Sequence, residues 1–543
     1  MIRVVNTILV VMGVIIFVWV MWFISYIDMK RKRRTIIHTK FGKLPKERGW
    51  EENVRNYDDV VTDGSGVDDV TWNDLSMNEM FWRINQCDTS VGEEILYHKL
   101  RKNSMTLEER QLFERRVRTF SGNEKERESI EECLFGIGKG SGSYFIPAYL
   151  DAIDEYRLSH AWVYRLLQAL FVCALAAFLI LRNDAAGMAF VGICAGNLGV
   201  YFFVKMGNAV ELSMVGTTVS LLENARKISK RREIRLLFPE MEQALAGLKK
   251  VMKGARFLSV QKDGGQGGDV MEILLDYIMG ITLWQVTTYN KVMRRLSENV
   301  PAYLALYECV GELDVSISTA SFRKSLPWYC QPEYTSEKKI RMGDIYHPLI
   351  KEPVANSLEL ERSCLITGSN ASGKSTFIKA VAVNAILAQS LNTCAARQFI
   401  LPPSGVITSM AVKDDLMAGE SYFIREIRYL KRILDSLNED EMTICAIDEI
   451  LRGTNTGERI RASRAILDYL KDKNCIALVA THDKELTELM AADYVNYHFS
   501  EEIGEEDITF SYKLLKGSAT SHNAVKLLEF AGFPEEIITA ARE

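Results

Sequence analysis

Two long apolar segments stand out in the pattern of hydrophobic and polar residues along the chain. Val4 to Ile27 contains no charged residue, and Trp162 to Met206 is broken near its middle by the polar triplet Arg182 to Asp184. As helices, the first segment would reach about 36 Å and each half of the second about 30 Å, against roughly 30 Å of hydrocarbon in a bilayer. The pattern therefore predicts a spanning helix within residues 1–29 and a spanning helical hairpin over residues 162–206.

Basic residues beside the first segment predict its orientation. Lys30 to Arg34 is a run of basic residues directly after the segment, whereas only Arg3 precedes it. The positive-inside rule then places the N-terminus outside the cell and the remaining polar chain in the cytosol. A secretory signal peptide would carry its positive charge in front, and a buried core helix is the other alternative. We expect a multi-pass protein of the cell membrane, in contact with lipid.

The polar stretches between Trp72 and Leu313 have a mainly helical pattern. Apolar residues recur near helical spacing in Leu107 to Phe120 and in Val210 to Lys253. Gln261 to Asp269 is rich in glycine and predicts a turn or linker. The basic cluster Arg226 to Arg235 is either a contact for nucleic acid or anionic lipid, or one solvated helix face.

Length, charge and cysteine spacing narrow the class of protein. A chain of 543 residues is too long for one core and predicts several domains. Its net charge of −5 excludes a strongly basic protein that attracts nucleic acid over long distances. The cysteines show no CxxC spacing, which favours free thiols in a reducing compartment over disulfides or a zinc site.

A glycine-rich segment after the strand candidate Ser363 to Thr367 fits the pattern GxxxxGK[ST]. It reads Gly368-Ser369-Asn370-Ala371-Ser372-Gly373-Lys374-Ser375, and a helical pattern follows from Thr376 to Gln389. In this setting backbone N–H groups surround phosphates, the lysine binds the β and γ phosphates, and the serine hydroxyl binds Mg²⁺. We expect residues 368–376 to bind ATP, with Lys374 catalytic and Ser375 a ligand of Mg²⁺.

Two further strand candidates are followed by polar residues that suit the same site. Asp448 and Glu449 follow Thr443 to Ile447, and His482 comes shortly after Cys475 to Ala480. Asp448 would bind Mg²⁺, and Glu449 would polarise the attacking water. His482 would contact the γ-phosphate, with a structural role as its alternative. Alternating strands and helices predict a mostly parallel sheet with the nucleotide at its carboxyl edge.

Together these C-terminal segments resemble the MutS family. The family's ATPase blocks occur in order as TGSNASGKSTFIKA, DDLMAGESYFIREI, AIDEILRGTNTGER and ATHDKEL, followed by GSATSHNAVKLLEFAGFPEEIITAARE. This resemblance covers residues 340–543. Ile84 to Asn103 and Tyr307 to Phe322 are more weakly similar to the start and end of the family's helical core and lever region. The resemblance implies an ABC-like P-loop ATPase domain of the MutS type.

The resemblance also implies a homodimer with composite ATP sites. Asn370 would help to place the attacking water, and Ser421 of one subunit would reach the γ-phosphate held by the other. Gly453, Thr454 and Thr456 would lie in the loop that faces the partner. ATP would then contact both subunits, which couples the nucleotide state to the geometry of the dimer.

Four departures from the family pattern limit this comparison. No Phe-x-Glu motif for reading a mismatch precedes the helical core, and the hairpin occupies part of the region that would hold a DNA clamp. Pro353 to Asn356 lacks the aromatic residue that the family stacks on adenine, so selectivity for ATP over GTP stays open. Glu420 stands where repair members usually carry arginine, which adds negative charge near the phosphates.

The sequence thus predicts a membrane-anchored, homodimeric MutS-like ATPase. Its predicted parts are a transmembrane anchor (1–29), a helical core-like region (30–161), a transmembrane hairpin (162–206), a mostly α-helical core and lever region (207–335), a C-terminal α/β P-loop ATPase domain (336–520) and a helical dimerisation arm (521–543). Expected partners are a second copy, membrane lipid and a further membrane or protein partner. The alternatives are a membrane-tethered DNA-binding protein of the mismatch-repair class, an ABC-type transporter half and a nucleotide-gated scaffold without hydrolysis.

Overall fold

The structure, a computed structural model, describes residues 20, 23–45, 52–140, 143–146, 150, 158, 160–252, 277–369, 372–410, 422–452, 454–503, 508–518 and 532–542. Most of the first apolar segment, Val4 to Ile27, therefore lies outside the described residues. The chain divides into two units. Unit 1 comprises residues 1–61, 85–98 and 115–321, and unit 2 comprises residues 62–84, 99–114 and 322–543.

The described chain before the first strand is mainly helical, as the sequence predicts. Residues 23–40 are helical, and short 3-10 helices lie at Glu52–Arg55 and Ser143–Phe145. The other helices are Asn56–Val61, Asp69–Asp74, Met77–Ile84, Ser90–Lys102, Leu107–Gly122, Glu124–Ile137, Ala161–Leu181, Asp184–Gly207, Ala209–Ile228, Arg232–Leu237, Pro239–Gly247, Lys249–Met252, Trp284–Ser297 and Val300–Ser325.

The helical stretch predicted from Val210 to Lys253 is divided into four helices rather than continuous. Arg231 has an extended backbone, and Phe238 leaves the helical region with φ −139° and ψ 61°. Phe238 precedes Pro239, and a residue before proline is driven out of the α region by the proline ring. Pro239 then occupies the first turn of the next helix, where its missing N–H costs nothing.

Unit 1 contains the predicted hairpin as two helices, Ala161–Leu181 and Asp184–Gly207, both long and apolar enough to cross a membrane. Arg182 turns the chain with φ 48°, and the Asn183 side chain caps the second helix. The helix Ala161–Leu181 has no buried residue, and Phe203 on the second helix is 83% exposed. Contiguous exposed apolar surface of this kind marks a membrane or protein contact.

Polar contacts fix the second hairpin helix to the helical body of unit 1. Tyr201 Oη donates a hydrogen bond of 2.6 Å to Gln285 Oε1, and Asn197 Nδ2 donates one of 2.8 Å to the Ile281 carbonyl. Tyr201 also packs in a buried cluster with Leu283 and Val286. The Asn197 amide and the Tyr201 hydroxyl thus have hydrogen-bond partners within the protein.

Basic residues after the first apolar segment also contact unit 1. Arg34 pairs with Glu132, and the Arg33 guanidinium lies 5.2 Å from the centre of the Phe135 ring. Lys40 Nζ lies 2.6 Å from Asp88 Oδ1. Some of the basic residues whose positive charge predicts the membrane orientation therefore contact other side chains of the protein.

A six-stranded sheet with the order β10-β9-β4-β8-β7-β6 forms the centre of unit 2. All its neighbouring strands are parallel except the β9–β10 pair, so the prediction of a mostly parallel sheet is confirmed. Its strands are β4 (Cys364–Thr367), β6 (Ser404–Ser409), β7 (Met442–Asp448), β8 (Cys475–Ala480), β9 (Val495–Ile503) and β10 (Ile508–Lys516).

A smaller mixed sheet, not predicted from the sequence, has the order β1-β5-β2-β3. Its strands are β1 (Glu333–Tyr334), β2 (Ile340–Ile345), β3 (Asn356–Leu360) and β5 (Gln398–Leu401). The helices of unit 2 after β3 are Lys374–Leu391, Tyr422–Ser436, Thr456–Lys471, Lys484–Leu489 and Glu535–Arg542.

The larger sheet is fixed by apolar packing on its strands. Every residue of β4 and β8 is buried, which explains why these strands read as continuous apolar runs. Side chains such as Cys445 and Val479 pack with Leu467 and Leu430 from the helices Thr456–Lys471 and Tyr422–Ser436. This packing holds the carboxyl ends of the central strands in fixed register.

Candidate functional site

The strands that carry the predicted motifs end at one edge of the larger sheet. Ile366 in β4 and Asp448 in β7 are both in register with Ala480 at the end of β8. The Thr481 backbone N–H donates a hydrogen bond of 3.0 Å to the Ile366 carbonyl. The glycine-rich loop, Asp448 and the segment with His482 therefore leave the sheet side by side, as parallel strands require.

Two glycines shape the loop between β4 and the helix Lys374–Leu391. Gly368 has φ 145° and Gly373 has φ 109°, a region that other residues adopt only with strain. A Cβ at Gly368 would lie 2.7 Å from Ser372 Oγ and 2.9 Å from the Phe499 carbonyl oxygen. Only glycine fits there. The helix begins at Lys374, two residues before the predicted start, so Lys374, Ser375 and Thr376 occupy its first turn.

Lys374 is buried and crosses the loop. Its ammonium donates hydrogen bonds of 2.7 Å and 2.8 Å to the carbonyls of Gly368 and Ser369. Ser372 Oγ is buried and has no hydrogen-bond partner among the described residues. A lysine ammonium, a helix N-terminus and an unsatisfied hydroxyl in one loop suit an anion such as a phosphate.

Ser375 and Asp448 supply oxygen ligands of the kind that Mg²⁺ prefers. Ser375 Oγ donates a hydrogen bond of 2.6 Å to Asp448 Oδ2, which joins the helix to the end of β7. Asp448 is the last residue of β7, so the predicted carboxylate stands at the strand end, where the ladder with β8 extends to Ala480. The donor set fits the predicted divalent cation beside the glycine-rich loop.

Glu449 contacts the predicted site residue His482 and also Arg452, which was not predicted from the sequence. His482 Nε2 is 2.9 Å from Glu449 Oε1, and Arg452 Nε donates a hydrogen bond to Glu449 Oε2. Burial acts to raise the pKa of Glu449, but the hydrogen bonds from His482 and Arg452 and their positive charge outweigh burial and lower this pKa to about 2. Glu449 is therefore ionised at neutral pH and is held as a weak base.

The turn that carries Glu449 has an uncommon backbone. Glu449 has φ 65° and Leu451 has φ 59°, both in the left-handed region. Such residues cluster at functional sites because surrounding contacts hold them in place. The contacts here are hydrogen bonds from the Glu449 N–H to the Ala480 carbonyl at 3.0 Å and from the Arg452 N–H to Glu426 Oε1 at 2.9 Å.

Several predicted site residues lie outside the described residues. These are Asn370, Ala371, Ser421, Gly453 and the neighbouring Glu420. Thr454 is described and donates a hydrogen bond of 3.2 Å to Glu458 Oε2, and Thr456 begins the helix Thr456–Lys471. Most of the predicted arm, residues 521–543, is also outside, although Glu535–Arg542 is a helix.

Sequence reasoning missed Tyr512, which lies beside the glycine-rich loop. A Cβ on Gly373 would lie 3.2 Å from Tyr512 Cδ1, and 43% of Tyr512 is exposed. Tyr512 has φ 52° within an irregular part of β10. Asn356 holds this part by donating to the Tyr512 carbonyl at 3.0 Å and accepting from the Leu514 N–H at 2.8 Å. An exposed aromatic ring therefore borders the loop.

Comparison with known proteins identifies this part of the chain. Residues 364–543 match the family model "MutS domain V". This part of the chain is similar to domain V of MutS proteins. The DNA mismatch repair protein MutS of Pseudothermotoga lettingae is 31% identical over 266 residues, which cover 47% of this chain and 32% of that protein. MutS of Thermus thermophilus is 32% identical over 240 residues, or 43% of this chain and 29% of that protein.

The similarity to MutS is limited to part of both chains. MutS of Ruminiclostridium cellulolyticum is 28% identical over 275 residues, which cover 48% of this chain and 31% of the relative. The chain thus spans about a third of the length of the relatives it matches. The matched domain contains the glycine-rich loop, Asp448, Glu449 and His482, whereas the hairpin of unit 1 precedes it in the sequence.

Proposed function

We propose that the chain is a membrane-anchored, homodimeric MutS-like ATPase that uses ATP and Mg²⁺ at composite sites to drive conformational change. The observation that carries this proposal is the meeting of Lys374, Ser375, Asp448, Glu449 and His482 at one edge of the larger sheet. The match to MutS domain V supports an ATPase domain related to mismatch repair.

Each residue at this edge has a chemical role in hydrolysis. Lys374 and the helix N-terminus bind and orient the phosphates, and Ser375 with Asp448 holds the cation. Bound Mg²⁺ would neutralise charge on the phosphate oxygens. Glu449 orients water and accepts its proton, and His482 contacts the γ-phosphate from the end of β8. Tyr512 offers its ring to the base of the nucleotide, as aromatic rings in many nucleotide sites do.

The hairpin supports the membrane anchor. The first helix of the hairpin has no buried residue. On the second helix, Asn197 and Tyr201 are hydrogen-bonded to Ile281 and Gln285 of unit 1. In the proposed topology the hairpin, together with a spanning helix near the N-terminus, keeps both large polar segments in the cytosol. ATP-driven change in the ATPase domain would then reach the membrane through the helical region.

A DNA-binding protein of the mismatch-repair class, tethered to the membrane, is the second candidate. Its support is the printed function of the relatives, which are DNA mismatch repair proteins. Arg226, Lys227 and Lys230 also line a cavity of about 330 Å³ in unit 1. Arg231 of the same cluster instead pairs with Glu126 at 2.9 Å, which takes it out of the candidate surface.

The two candidates separate in one set of measurements on the full chain, purified in detergent. ATP turnover and subunit association are measured with and without duplex DNA at several salt concentrations, beside a chain with Arg226→Gln and Lys230→Gln. The first proposal is supported if ATP turnover and ATP-dependent dimerisation do not change when DNA is added. Salt-dependent binding of DNA that raises turnover and weakens in the double variant supports the second.

The anchor is tested separately in sealed vesicles with the cytosolic face outward. Protease added outside should cut the segment after residue 207 and leave the hairpin protected by lipid. A chain that washes from the vesicles in alkaline carbonate, or whose ATPase domain is protected while the vesicles are sealed, would contradict the proposed topology.

A further inference from the structure

A buried glutamate, Glu426, contacts the turn that carries Glu449 and has no role in the proposed mechanism of hydrolysis. Glu426 lies on the helix Tyr422–Ser436, and only 3% of it is exposed. One of its carboxylate oxygens, Oε1, accepts the Arg452 N–H at 2.9 Å. The other oxygen, Oε2, is buried and has no hydrogen-bond partner among the described residues.

Burying a carboxylate oxygen without a hydrogen-bond donor costs free energy, because the oxygen loses its hydrogen bonds to water and gains none from the protein. The arginines around it are already engaged. Arg459 donates two hydrogen bonds, of 2.9 Å and 2.6 Å, to Asp483. Arg452 donates to Glu449 through Nε, although its own backbone N–H lies against the Glu426 carboxylate. The Arg452 guanidinium is therefore tethered beside Glu426 but bound to Glu449.

This arrangement opposes the proposed role of Glu449. A carboxylate that accepts a guanidinium hydrogen bond is a poor acceptor for a proton from water, because the contact occupies and stabilises its charged form. Arg452 has a 44% exposed side chain, so neighbouring packing leaves room for rotation about its side-chain bonds. Its guanidinium can move from one carboxylate to the other while the backbone of the turn stays in place.

We propose that Glu426 is a positioning residue for ATP hydrolysis: its unpaired oxygen accepts the Arg452 guanidinium and so releases Glu449 to act on water. The proposal rests on the proposed ATPase function. No bond is made or broken in this step, since one hydrogen bond of Arg452 is exchanged for another. Arg452 then restrains hydrolysis when it is bound to Glu449 and permits it when it is bound to Glu426.

A double-mutant cycle on the full chain tests this exchange. The proteins are the unchanged chain, Glu426→Gln, Arg452→Gln and the double variant, with Glu439→Gln as an exposed control. Gln at 426 keeps the size of Glu and an acceptor for the Arg452 N–H, but it lacks the negative charge that attracts the guanidinium. The readouts are kcat and KM for ATP, together with the affinity for a fluorescent ATP analogue as a check that the glycine-rich loop is intact.

Glu426→Gln should lower kcat about tenfold while the affinity for nucleotide changes little, because only the release of Glu449 is impaired. In the Arg452→Gln background the substitution should have no further effect. Glu439→Gln should behave as the unchanged chain.

Two results would overturn the proposal. One is a Glu426→Gln variant with unchanged kcat, and the other is an equal loss of kcat with and without Arg452. Either would leave the ATPase proposal intact if the unchanged chain hydrolyses ATP. An unchanged chain that binds the analogue without hydrolysing ATP would overturn both.

Discussion

Ser375 Oγ lies 2.6 Å from Asp448 Oδ2, although the two residues are 73 positions apart in the sequence. One stands in the first turn of a helix and the other ends a strand, so the sheet register alone brings them together. This pair is the geometric centre of the proposed ATP site, because a hydroxyl and a carboxylate at this spacing can share one divalent cation.

Replacing Ser375 should therefore raise the Mg²⁺ concentration that ATP hydrolysis requires and remove most of the activity. Ser375→Ala should lower ATP turnover roughly 10²-fold or more, since one charge-stabilising contact to the phosphate site is lost. Ser375→Thr keeps the hydroxyl and should retain most of the turnover. Titration of ATPase activity with Mg²⁺ checks both variants. Equal Mg²⁺ dependence in Ser375→Ala and the unchanged chain would contradict the assignment.

Tyr512 should contribute to nucleotide affinity through its ring rather than its hydroxyl. Tyr512→Ala should weaken binding of ATP by about 1–3 kcal/mol, the range for stacking of a base on an aromatic side chain. Tyr512→Phe should bind like the unchanged chain. Calorimetric titration with ATP and with inorganic triphosphate separates the base from the phosphates. Loss of triphosphate binding in Tyr512→Ala would mean that the substitution disturbs the loop itself.

The buried His347 should make the protein less stable in acid. Burial, aided by the nearby positive charge of Lys379, lowers its pKa from 6.5 to about 4. Between these values the unfolded chain binds a proton that the folded chain does not, so stability falls as the pH drops from about 6.5 to about 4. His347→Gln should lack this contribution, and its deficit in melting temperature should shrink between pH 7 and pH 5. Parallel profiles for the two proteins would contradict this.

Gly92 should be intolerant of a side chain because of Asp314. A Cβ at Gly92 would lie 2.4 Å from Asp314 Oδ2, and that carboxylate accepts hydrogen bonds from the N–H groups of Asp88 and Thr89. Gly92→Ala should lower the free energy of unfolding by about 1–3 kcal/mol, as overpacking does. Gly122→Ala is the matched control, since open space surrounds it. Equal free energies of unfolding for the two variants in denaturant would contradict this account of the Asp314 contact.

The parts of the fold predicted best from sequence are those in which one local pattern decides the structure. β4, β7 and β8 are buried parallel strands, so each reads as an apolar run followed by the polar residues of the site. The hairpin helices are equally clear, because their apolar length and polar turn are local properties. By contrast, the placement of the hairpin in a membrane and its orientation depend on the surroundings of the protein and not only on a local sequence pattern.

The parts that were missed depend on contacts between distant segments. The smaller sheet contains a strand of two residues, β1, which is too short to leave a periodic pattern. Tyr512 meets Gly373 only because the register of β10 shifts between Phe510 and Leu514. Glu426 lies in a charged, amphipathic helix, and its burial becomes visible only when the Arg452 N–H is seen to contact it.

The most direct test of the central claim compares the full chain with its Glu449→Gln variant. Both proteins should bind ATP with Mg²⁺ with similar affinity, because Lys374, Ser375 and Asp448 are unchanged. In a single-turnover assay the unchanged chain should hydrolyse the bound ATP, and Glu449→Gln should be slower by about 10²–10⁴-fold, the usual contribution of a general base. Equal rates in the two proteins would contradict the assignment of Glu449, and no hydrolysis by either would contradict the ATPase itself.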